Sequence, residues 1–384
     1  MASEFCNLKR NAIEILSELG GFKATSYWED GPVGYIADRA TASGLEVEID
    51  EWGNALVTKQ GTDVATAGIG FVAHTDHPGY EVVVQEGENI TLNALGGISL
   101  AAGRRGTRIL VIGESGEAMD ATITKARPAS GEFAQSRESD GWLGTDTVFA
   151  KLDSHESVGE LPRPAVFDLP DFALEDGLIK MRAVDDLAGC AAILATLEQL
   201  TDESVTGNVY GLFTRAEEVG LIGARLAAAN KIFPRETIVI SVETSSALPG
   251  AEIGNGVVIR TGDRTATFDY EAEAFLVEAA NKIKSVNPEF RAQRQLMSAG
   301  GCEASAFKAF GYRVTGTAFP LGAWHNRGKN GIESEFISTD DFVGGVMLLS
   351  ETAKLAGTPQ FGIVPHLSRQ PFEQAERLRK NQKR

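Results

Sequence analysis

The chain contains few cysteines, and their spacing excludes the common structural uses of that residue. Three occur in 384 residues, and Cys6, Cys190 and Cys302 lie far apart, unlike the thiols of a zinc finger or a disulfide framework. Scattered thiols are typical of a reducing compartment, so we expect a cytoplasmic protein. The sequence begins without the basic and apolar regions of a secretory signal, and secretion is not expected. Apolar runs of the ~20 residues that cross a bilayer are also missing.

Positive charge is scarce as well. The sequence has 36 Lys and Arg against 53 Asp and Glu, which gives a formal net charge of −17. Nucleic acids and anionic membranes attract clustered Lys and Arg, so this balance disfavours both as partners. Basic residues are concentrated in the C-terminal segment 371–384, which we interpret as a solvated basic tail.

The pattern of apolar residues divides the sequence into two kinds of region. Before residue 79 and after residue 177, apolar strand-like runs alternate with helical periodicity, which predicts a mostly parallel sheet flanked by helices. Between them, short alternating segments are separated by Gly, Pro, Asp and Ser, which is typical of a small β-barrel. A chain of this length also exceeds the usual size of one core. We therefore predict an α/β protein whose main domain comprises 1–78 and 178–370, with an inserted barrel domain at 79–177.

Five short stretches carry residue types that bind divalent metals. Members of three stretches follow apolar strand-like runs almost directly, which is where sites form in parallel sheets. Two imidazoles and several carboxylates suit mixed nitrogen and oxygen ligation of Zn²⁺, Co²⁺ or Mn²⁺. Two such ions about 3.5–4 Å apart can activate a water for hydrolysis. The stretches are Ala73–Asp76, Val184–Asp186, Ala216–Gly220, Val242–Thr244 and Trp324–Asn326.

Each stretch also has a purely structural interpretation. His74 or His325 alone fits a buried histidine satisfied by hydrogen bonds, and the acidic pair at 185–186 fits a helix N-cap. The adjacent acids Glu217 and Glu218 are harder to explain by packing, because charged groups directly after an apolar strand need partners. One of them can bind a metal while the other accepts a proton from the attacking water. The set as a whole therefore predicts a two-metal hydrolase.

The ordered set of motifs resembles the tetrahedral aminopeptidase family, the glutamyl or deblocking aminopeptidases, which are two-metal exopeptidases. The resemblance spans about residues 51–355, and it is specific as a set although no single motif is. The motifs are A-H-T-D-H-P-G at 73–79, V-D-D-L-A-G at 184–189, E-E-V-G-L-I-G-A at 217–224 and G-G-C-E-A at 300–304.

The resemblance implies a ligand set for two divalent metal ions. His74 and Glu243 would hold one metal, Glu218 and His325 would hold the other, and Asp185 would bridge them. Zinc is the first expectation for both positions, and cobalt and manganese suit the same ligands.

The resemblance also implies catalytic roles and an assembly. Glu217 would be the general base, and Asp76 would support His74 by contacting its second ring nitrogen. The family's fold places a β-barrel after the first ligand strand, which agrees with the change of pattern near Gly79. Members commonly assemble through that insert, so a homo-oligomer is implied, with the barrel as the oligomerisation domain.

Two departures from the family pattern leave alternative functions open. The family usually has Asp at the positions of Glu243 and Glu303, and a glutamate at the first position is more typical of carboxypeptidases and deacylases. We expect a metal-dependent exopeptidase, an aminopeptidase that hydrolyses short peptides. The alternative is a carboxypeptidase or N-acyl amino acid deacylase in which Arg327 pairs with a substrate carboxylate. A third interpretation, an assembly protein without catalysis, is disfavoured because both Glu217 and Glu218 are present.

Overall fold

The centre of the protein is an eight-stranded sheet in a computed structural model that describes residues 2–129, 144–329, 331–358 and 372–380. The sheet's order is β1-β2-β12-β3-β13-β16-β14-β15, and the four strands from β12 to β16 in that order are parallel. Every residue of β3 and β12 is buried, as expected for strands covered on both faces. The predicted α/β fold is confirmed. Numbered along the chain, these strands are β1 (Glu46–Ile49), β2 (Ala55–Lys59), β3 (Ile69–His74), β12 (Val209–Thr214), β13 (Ile238–Ser246), β14 (Val257–Asp263), β15 (Ala292–Met297) and β16 (Arg313–Leu321).

Helices cover both faces of this sheet. On one face, five helices contribute to the largest hydrophobic core. They are α1 (Ala2–Gly20), α2 (Asp30–Ala42), α3 (Leu187–Gln199), α5 (Tyr270–Val286) and α7 (Thr339–Ala353). On the other face, α4 (Ile222–Ala229) and α6 (Glu303–Ala309) enclose a second core. The first eleven residues of α3 are all buried, which is typical of a helix that is apolar on every side. This helix lies directly behind β3 and β13.

A closed antiparallel barrel is inserted in the chain between β3 and β12. Its order is β4-β5-β8-β7-β6-β9, and inward-facing residues such as Ile109 and Val111 alternate with more exposed ones. The predicted inserted barrel is confirmed, while the exact domain boundaries stay a prediction. The strands are β4 (Gly79–Glu86), β5 (Asn89–Leu95), β6 (Arg108–Ile112), β7 (Ala118–Pro128), β8 (Thr145–Leu152) and β9 (Arg163–Phe167).

Two small sheets join segments that are distant in the sequence. In the first, β11 (Leu178–Met181) pairs with β10 (Ala173–Glu175) and with β19 (Glu335–Ser338), both antiparallel. The second consists of β17 (Arg327–Gly328) and β18 (Gly331–Ile332). The pairing of β11 with β19 brings the chain just after residue 181 beside the loop that precedes residue 335.

The predicted basic tail contains a helix, α8 (Phe372–Lys380), with three basic residues in its last turn. The remainder of 371–384 lies outside the described residues. Within the described ranges, every helix is too short or too polar to span a bilayer.

Candidate metal centre

Three neighbouring strands bring the first predicted site residues together. β12, β3 and β13 are adjacent and parallel, so their carboxyl ends lie side by side at about 4.8 Å spacing. His74 ends β3, Glu217 comes shortly after β12, and Glu243 lies in the second half of β13. The carboxyl edge of a parallel sheet is where such sites form. The sheet order alone therefore gathers one imidazole and two carboxylates.

Asp76 fixes the turn that carries the paired glutamates. Its Oδ1 accepts the backbone N–H of Glu217 at 2.9 Å, and its Oδ2 accepts that of Glu218 at 3.1 Å and the hydroxyl of Ser26 at 2.6 Å. The Nδ1 of His74 lies 3.1 Å from the carbonyl oxygen of Asp76 and 3.5 Å from its carboxylate. Burial alone would raise the pKa of Asp76, but these hydrogen bonds hold that pKa below its usual value. Asp76 thus contacts the ring it was predicted to support and also the acidic turn.

Asp185 lies between the two histidines. Its Oδ1 is 3.6 Å from the Nε2 of His74, and its Oδ2 is 3.8 Å from the Nε2 of His325. The Oε1 of Glu218 is 3.3 Å from that second nitrogen. Two atoms that each lie ~2.1 Å from one tetrahedral ion are about 3.4 Å apart. These spacings are longer than ordinary hydrogen bonds and suit atoms that share a cation.

Three carboxylate oxygens in the cluster are buried without a hydrogen-bond partner among the described residues. They belong to Asp185 (Oδ1), Asp186 (Oδ2) and Glu243 (Oε1). His74, Asp186 and Glu243 each offer an atom within 4.8 Å of the others. Burial and repulsion between neighbouring carboxylates raise the pKa of both Asp186 and Glu243. An unpaired buried charge is costly, and a cation removes that cost, so these residues fit bound metal.

The helix-cap interpretation of the acidic pair holds for one of its members. The Oδ1 of Asp186 accepts the backbone N–H of Gly189 at 3.2 Å, which caps α3. Asp185 instead lies between the two histidines of the candidate metal-ligand cluster. Asp186 therefore has the structural role, and Asp185 has the candidate metal-binding role. The unpaired Oδ2 of Asp186 also borders the cluster.

His325 reaches the cluster from a separate loop. It lies in the short helical turn Trp324–Asn326 with left-handed dihedral angles, φ 53° and ψ 41°. Its Nδ1 is 2.8 Å from the carbonyl oxygen of Gly97, which follows the barrel strand β5. That contact assigns the proton to Nδ1 and leaves Nε2 to face Glu218 and Asp185.

Glu217 has a different environment from the candidate ligand carboxylates. Its Oε2 lies 3.9 Å from the Nε2 of His74, and its side chain is 14% exposed, against 6% for Glu218. Burial raises the pKa of Glu217, and the negative charges of Glu218 and Glu243 add to the effect, although His74 opposes it. A carboxylate with a raised pKa that solvent still reaches suits proton transfer from a water.

Sequence reasoning missed a buried charge cluster behind Glu243. Glu303, noted only as a departure from the family pattern, accepts the hydroxyl of Ser241 at 3.2 Å, and its carboxyl group interacts with that of Glu243. Burial raises the pKa of Glu303 to about 7. Arg260 is buried nearby, where its charge partly opposes the rise in the pKa of Glu243, and its Nε and Nη1 have no partner in the part of the chain that the structure describes. In the sequence, the only indication of this cluster was the single arginine within the otherwise apolar first part of strand β14.

Sequence reasoning also missed Glu335. This residue is fully buried in β19, and its carboxylate accepts backbone N–H groups from both Asp185 and His325. Glu335 is 10 residues from His325 but 150 from Asp185 in the sequence, and its contact with Asp185 depends on the pairing of β11 with β19.

A parallel sheet with an inserted barrel, and a cluster of histidines and carboxylates at its carboxyl edge, define a metal-dependent hydrolase. The chain belongs to the M42 glutamyl aminopeptidase family, whose sequence profile matches residues 53–329. The resemblance inferred from the motifs is thereby confirmed, and the protein is a metal-dependent aminopeptidase. Family membership does not favour the carboxypeptidase or deacylase interpretation.

Similar proteins agree with this assignment. A provisionally named aminopeptidase of Acetivibrio thermocellus is 23% identical over 288 residues, which cover 72% of this chain and 78% of that protein. An aminopeptidase of the archaeon Desulfurococcus kamchatkensis superposes with a TM-score of 0.75 at 22% identity, covering 93% of this chain and 99% of that one. The TET1 peptidase of Pyrococcus horikoshii, which assembles into a tetrahedron or a large octahedral shell, gives a TM-score of 0.71 at 22% identity, covering 89% and 99%. At these identities the solved structures show the shared fold.

Proposed function

We propose that this aminopeptidase removes the N-terminal residue of short peptides with two divalent metal ions held at the candidate centre. The observation that carries the proposal is the set of buried, unpaired oxygens on Asp185, Asp186 and Glu243 beside two imidazoles. His74 and Glu243 would hold one ion, and Glu218 and His325 would hold the other. Asp185, with one oxygen toward each histidine, would contact both ions.

The donor set suits zinc, and cobalt or manganese would also fit its mixture of imidazole and carboxylate. When bound, the two ions would supply Lewis acidity toward the scissile carbonyl and lower the pKa of a water. The protein's own part is to hold the ligand atoms. The contacts of His74 Nδ1 with Asp76 and of His325 Nδ1 with Gly97 orient the two rings so that each Nε2 faces the cluster.

Glu217 would move the proton. Its carboxylate takes a proton from the attacking water as the water oxygen bonds to the scissile carbonyl carbon. It then gives that proton to the amide nitrogen as the carbon–nitrogen bond breaks, so the shortened peptide leaves as an amine. Its partial exposure and its raised pKa support this role.

A Glu217→Gln variant tests the assignment of the base. We expect kcat on an amino-acid anilide to fall by ~10²–10⁴-fold, since general-base catalysis contributes that much, while the metal content stays at the parent value. The exposed Glu236→Gln variant, whose parent side chain is 77% exposed, is the matched control and should keep full activity. A Glu217→Gln protein that keeps both its metals and its rate would show that another group accepts the proton.

A substrate comparison tests which end is cleaved. Peptides with a free amino group should be shortened from the N-terminus, and N-acylated peptides should not. If the protein hydrolysed only N-blocked substrates, the result would contradict the aminopeptidase proposal and favour a deacylase or carboxypeptidase.

We also propose a homo-oligomer in the cytoplasm. Support for the assembly comes from the inserted barrel and from the shells formed by the Pyrococcus horikoshii peptidase of the same fold. The scattered thiols, of which Cys190 and Cys302 are unpaired, support a reducing compartment. Sedimentation velocity at several concentrations would measure the assembly, and a monomer throughout would exclude it.

A further inference from the structure

One buried carboxylate joins the two chain segments that carry candidate metal ligands. The Oε2 of Glu335 accepts the backbone N–H groups of Val184 at 2.9 Å and Asp185 at 3.0 Å. Its Oε1 accepts the backbone N–H of His325 at 2.7 Å. The side chain has no solvent exposure. Glu335 therefore sets the separation between Asp185 and His325 through their main chains.

The loop that carries His325 needs such a restraint. Ala323, His325 and Asn326 all have left-handed backbone angles, with φ between 53° and 55°, and none of them is glycine. Side chains disfavour this conformation, so it persists where surrounding contacts determine it. The hydrogen bond from His325 to Glu335 is one of those contacts.

A second set of contacts ties the same two segments together. The Nδ2 of Asn326 donates to the carbonyl oxygen of Arg182 at 2.8 Å, while its Oδ1 lies 2.9 Å from the Nε2 of His77. The Nδ1 of His77 in turn lies 2.8 Å from the carbonyl oxygen of Asp185. His77 and Asn326 thus bridge the loop and the Asp185 segment beside Glu335, whose Oε2 lies 4.0 Å from the Nδ1 of His77.

We propose that Glu335 is a positioning residue that holds Asp185 and His325 at the spacing required by the metal on the Glu218 and His325 side. This inference rests on the proposed two-metal function, because it assigns the effect of Glu335 to one of the two ions. In the described parts of the chain, the hydrogen bonds of Glu335 go to backbone N–H groups and not to the side chains of the proposed ligands. It positions those ligands through the backbone N–H groups of Asp185 and His325.

The chemistry of an amide predicts which ion is affected by Glu335→Gln. A carboxamide has one oxygen, and that oxygen can keep the two N–H groups of Val184 and Asp185 only if the amide nitrogen faces His325. The amide N–H of the glutamine then faces the backbone N–H of His325, and two donors cannot form a hydrogen bond. The His325 loop therefore loses its contact with residue 335, while the Asp185 segment keeps its contacts. We expect the metal at His325 to bind 10- to 100-fold more weakly, the range known for groups that orient ligands. The metal at His74 and Glu243 should keep its affinity.

Calorimetric titration of the metal-free protein with zinc chloride measures this directly. The parent should show two sites, and Glu335→Gln should show one unchanged and one weakened site. The matched control is Glu333→Gln, the same change on an exposed residue two positions away, which should retain both affinities. In a His325→Ala background, Glu335→Gln should have no further effect on the remaining site, because coupled residues are not additive.

Two results would overturn the proposal. One is a folded Glu335→Gln protein that binds both zinc ions with parental affinity, and the other is an equal loss at both sites, which a purely structural role would produce. If circular dichroism shows that this variant does not fold, Glu335→Asp decides. Its shorter side chain keeps the charge but cannot reach the N–H groups of both Asp185 and His325, so it should weaken the same site. A parent protein that binds no zinc, cobalt or manganese would instead contradict the proposed function.

Discussion

At the scale of single residues, Glu303 connects the buried charge cluster to stability. Its pKa is raised by burial to about 7 from a usual 4.5. A carboxyl group with a higher pKa in the folded state binds more protons when folded. Its stabilising contribution is therefore present below pH 4.5 and is lost as the pH rises through 7.

Replacing Glu303 by glutamine should flatten this dependence in the metal-free protein. Between pH 5 and pH 8 the parent should lose up to about 3 kcal/mol relative to Glu303→Gln, since each unit of pKa difference is worth about 1.4 kcal/mol. Urea unfolding at a series of pH values provides the measurement. Glu289→Gln, at an exposed position, is the control and should follow the parent. Parallel curves for the parent and Glu303→Gln would contradict the argument.

The site residues differ in how far sequence could predict them. The sequence could propose His74, Glu217 and Glu243 because they lie in or shortly after the carboxyl-terminal halves of apolar strands, and adjacent parallel strands present those ends together. It could not propose Glu335 and Arg260, because their meaning depends on which distant segments pack beside them. A charged residue within an apolar run indicates that the position has an unusual role. Which residues it contacts can be known only from the order and register of the strands.

At the scale of elements, the fit of α3 against β13 positions Asp185 and Glu243. Gly189 lies in the first turn of this helix, and a Cβ there would lie 2.3 Å from the carbonyl oxygen of Val242 and 2.4 Å from the Oδ2 of Asp186. The backbone oxygen cannot move aside as a flexible side chain would. The glycine therefore allows the helix to approach the strand that carries Glu243.

Gly189→Ala should separate α3 from β13 and disturb the metal centre. We expect a loss of about 1–3 kcal/mol in the free energy of unfolding, as for overpacked cores, together with weaker metal binding. Gly34→Ala in α2 is the matched control, because none of the described atoms lies within 4 Å of the added methyl. It should stabilise the protein slightly, by about 0.5–1 kcal/mol. Unfolding curves and metal content of both variants provide the check, and unchanged metal content in Gly189→Ala would refute the link.

The elements themselves were largely predictable, and their pairing was less so. Alternating strand and helix patterns on either side of a β-rich insert follow from the period of apolar residues, which burial enforces locally. The small sheet that pairs β11 with β19 was not predictable. These two strands are four residues each and are separated in the sequence by residues 182–334, so no local period specifies the register of Met181 opposite Glu335.

At the scale of the whole molecule, acidic residues are in excess along the chain, and several of them are also buried together at the candidate metal centre. The net charge of −17 is spread over the chain, but Asp185, Asp186, Glu243 and Glu303 are buried together at one edge of the sheet. Ions in solution screen exposed charges. They do not reach the buried, unpaired oxygens of Asp185, Asp186 and Glu243, whose charge we propose is neutralised by cations bound at the centre.

Removing metal should therefore lower the melting temperature of the protein, and micromolar zinc should restore it. A ligand that binds only the folded state stabilises by about 2.7 kcal/mol per site at 100 times its Kd. Differential scanning fluorimetry of chelator-treated protein, with and without zinc, measures the shift. Potassium chloride alone, which screens the surface charge, should recover little of it, and His325→Ala should recover less than the parent. Full recovery with potassium chloride would show that surface repulsion, and not the buried cluster, limits the stability of the metal-free protein.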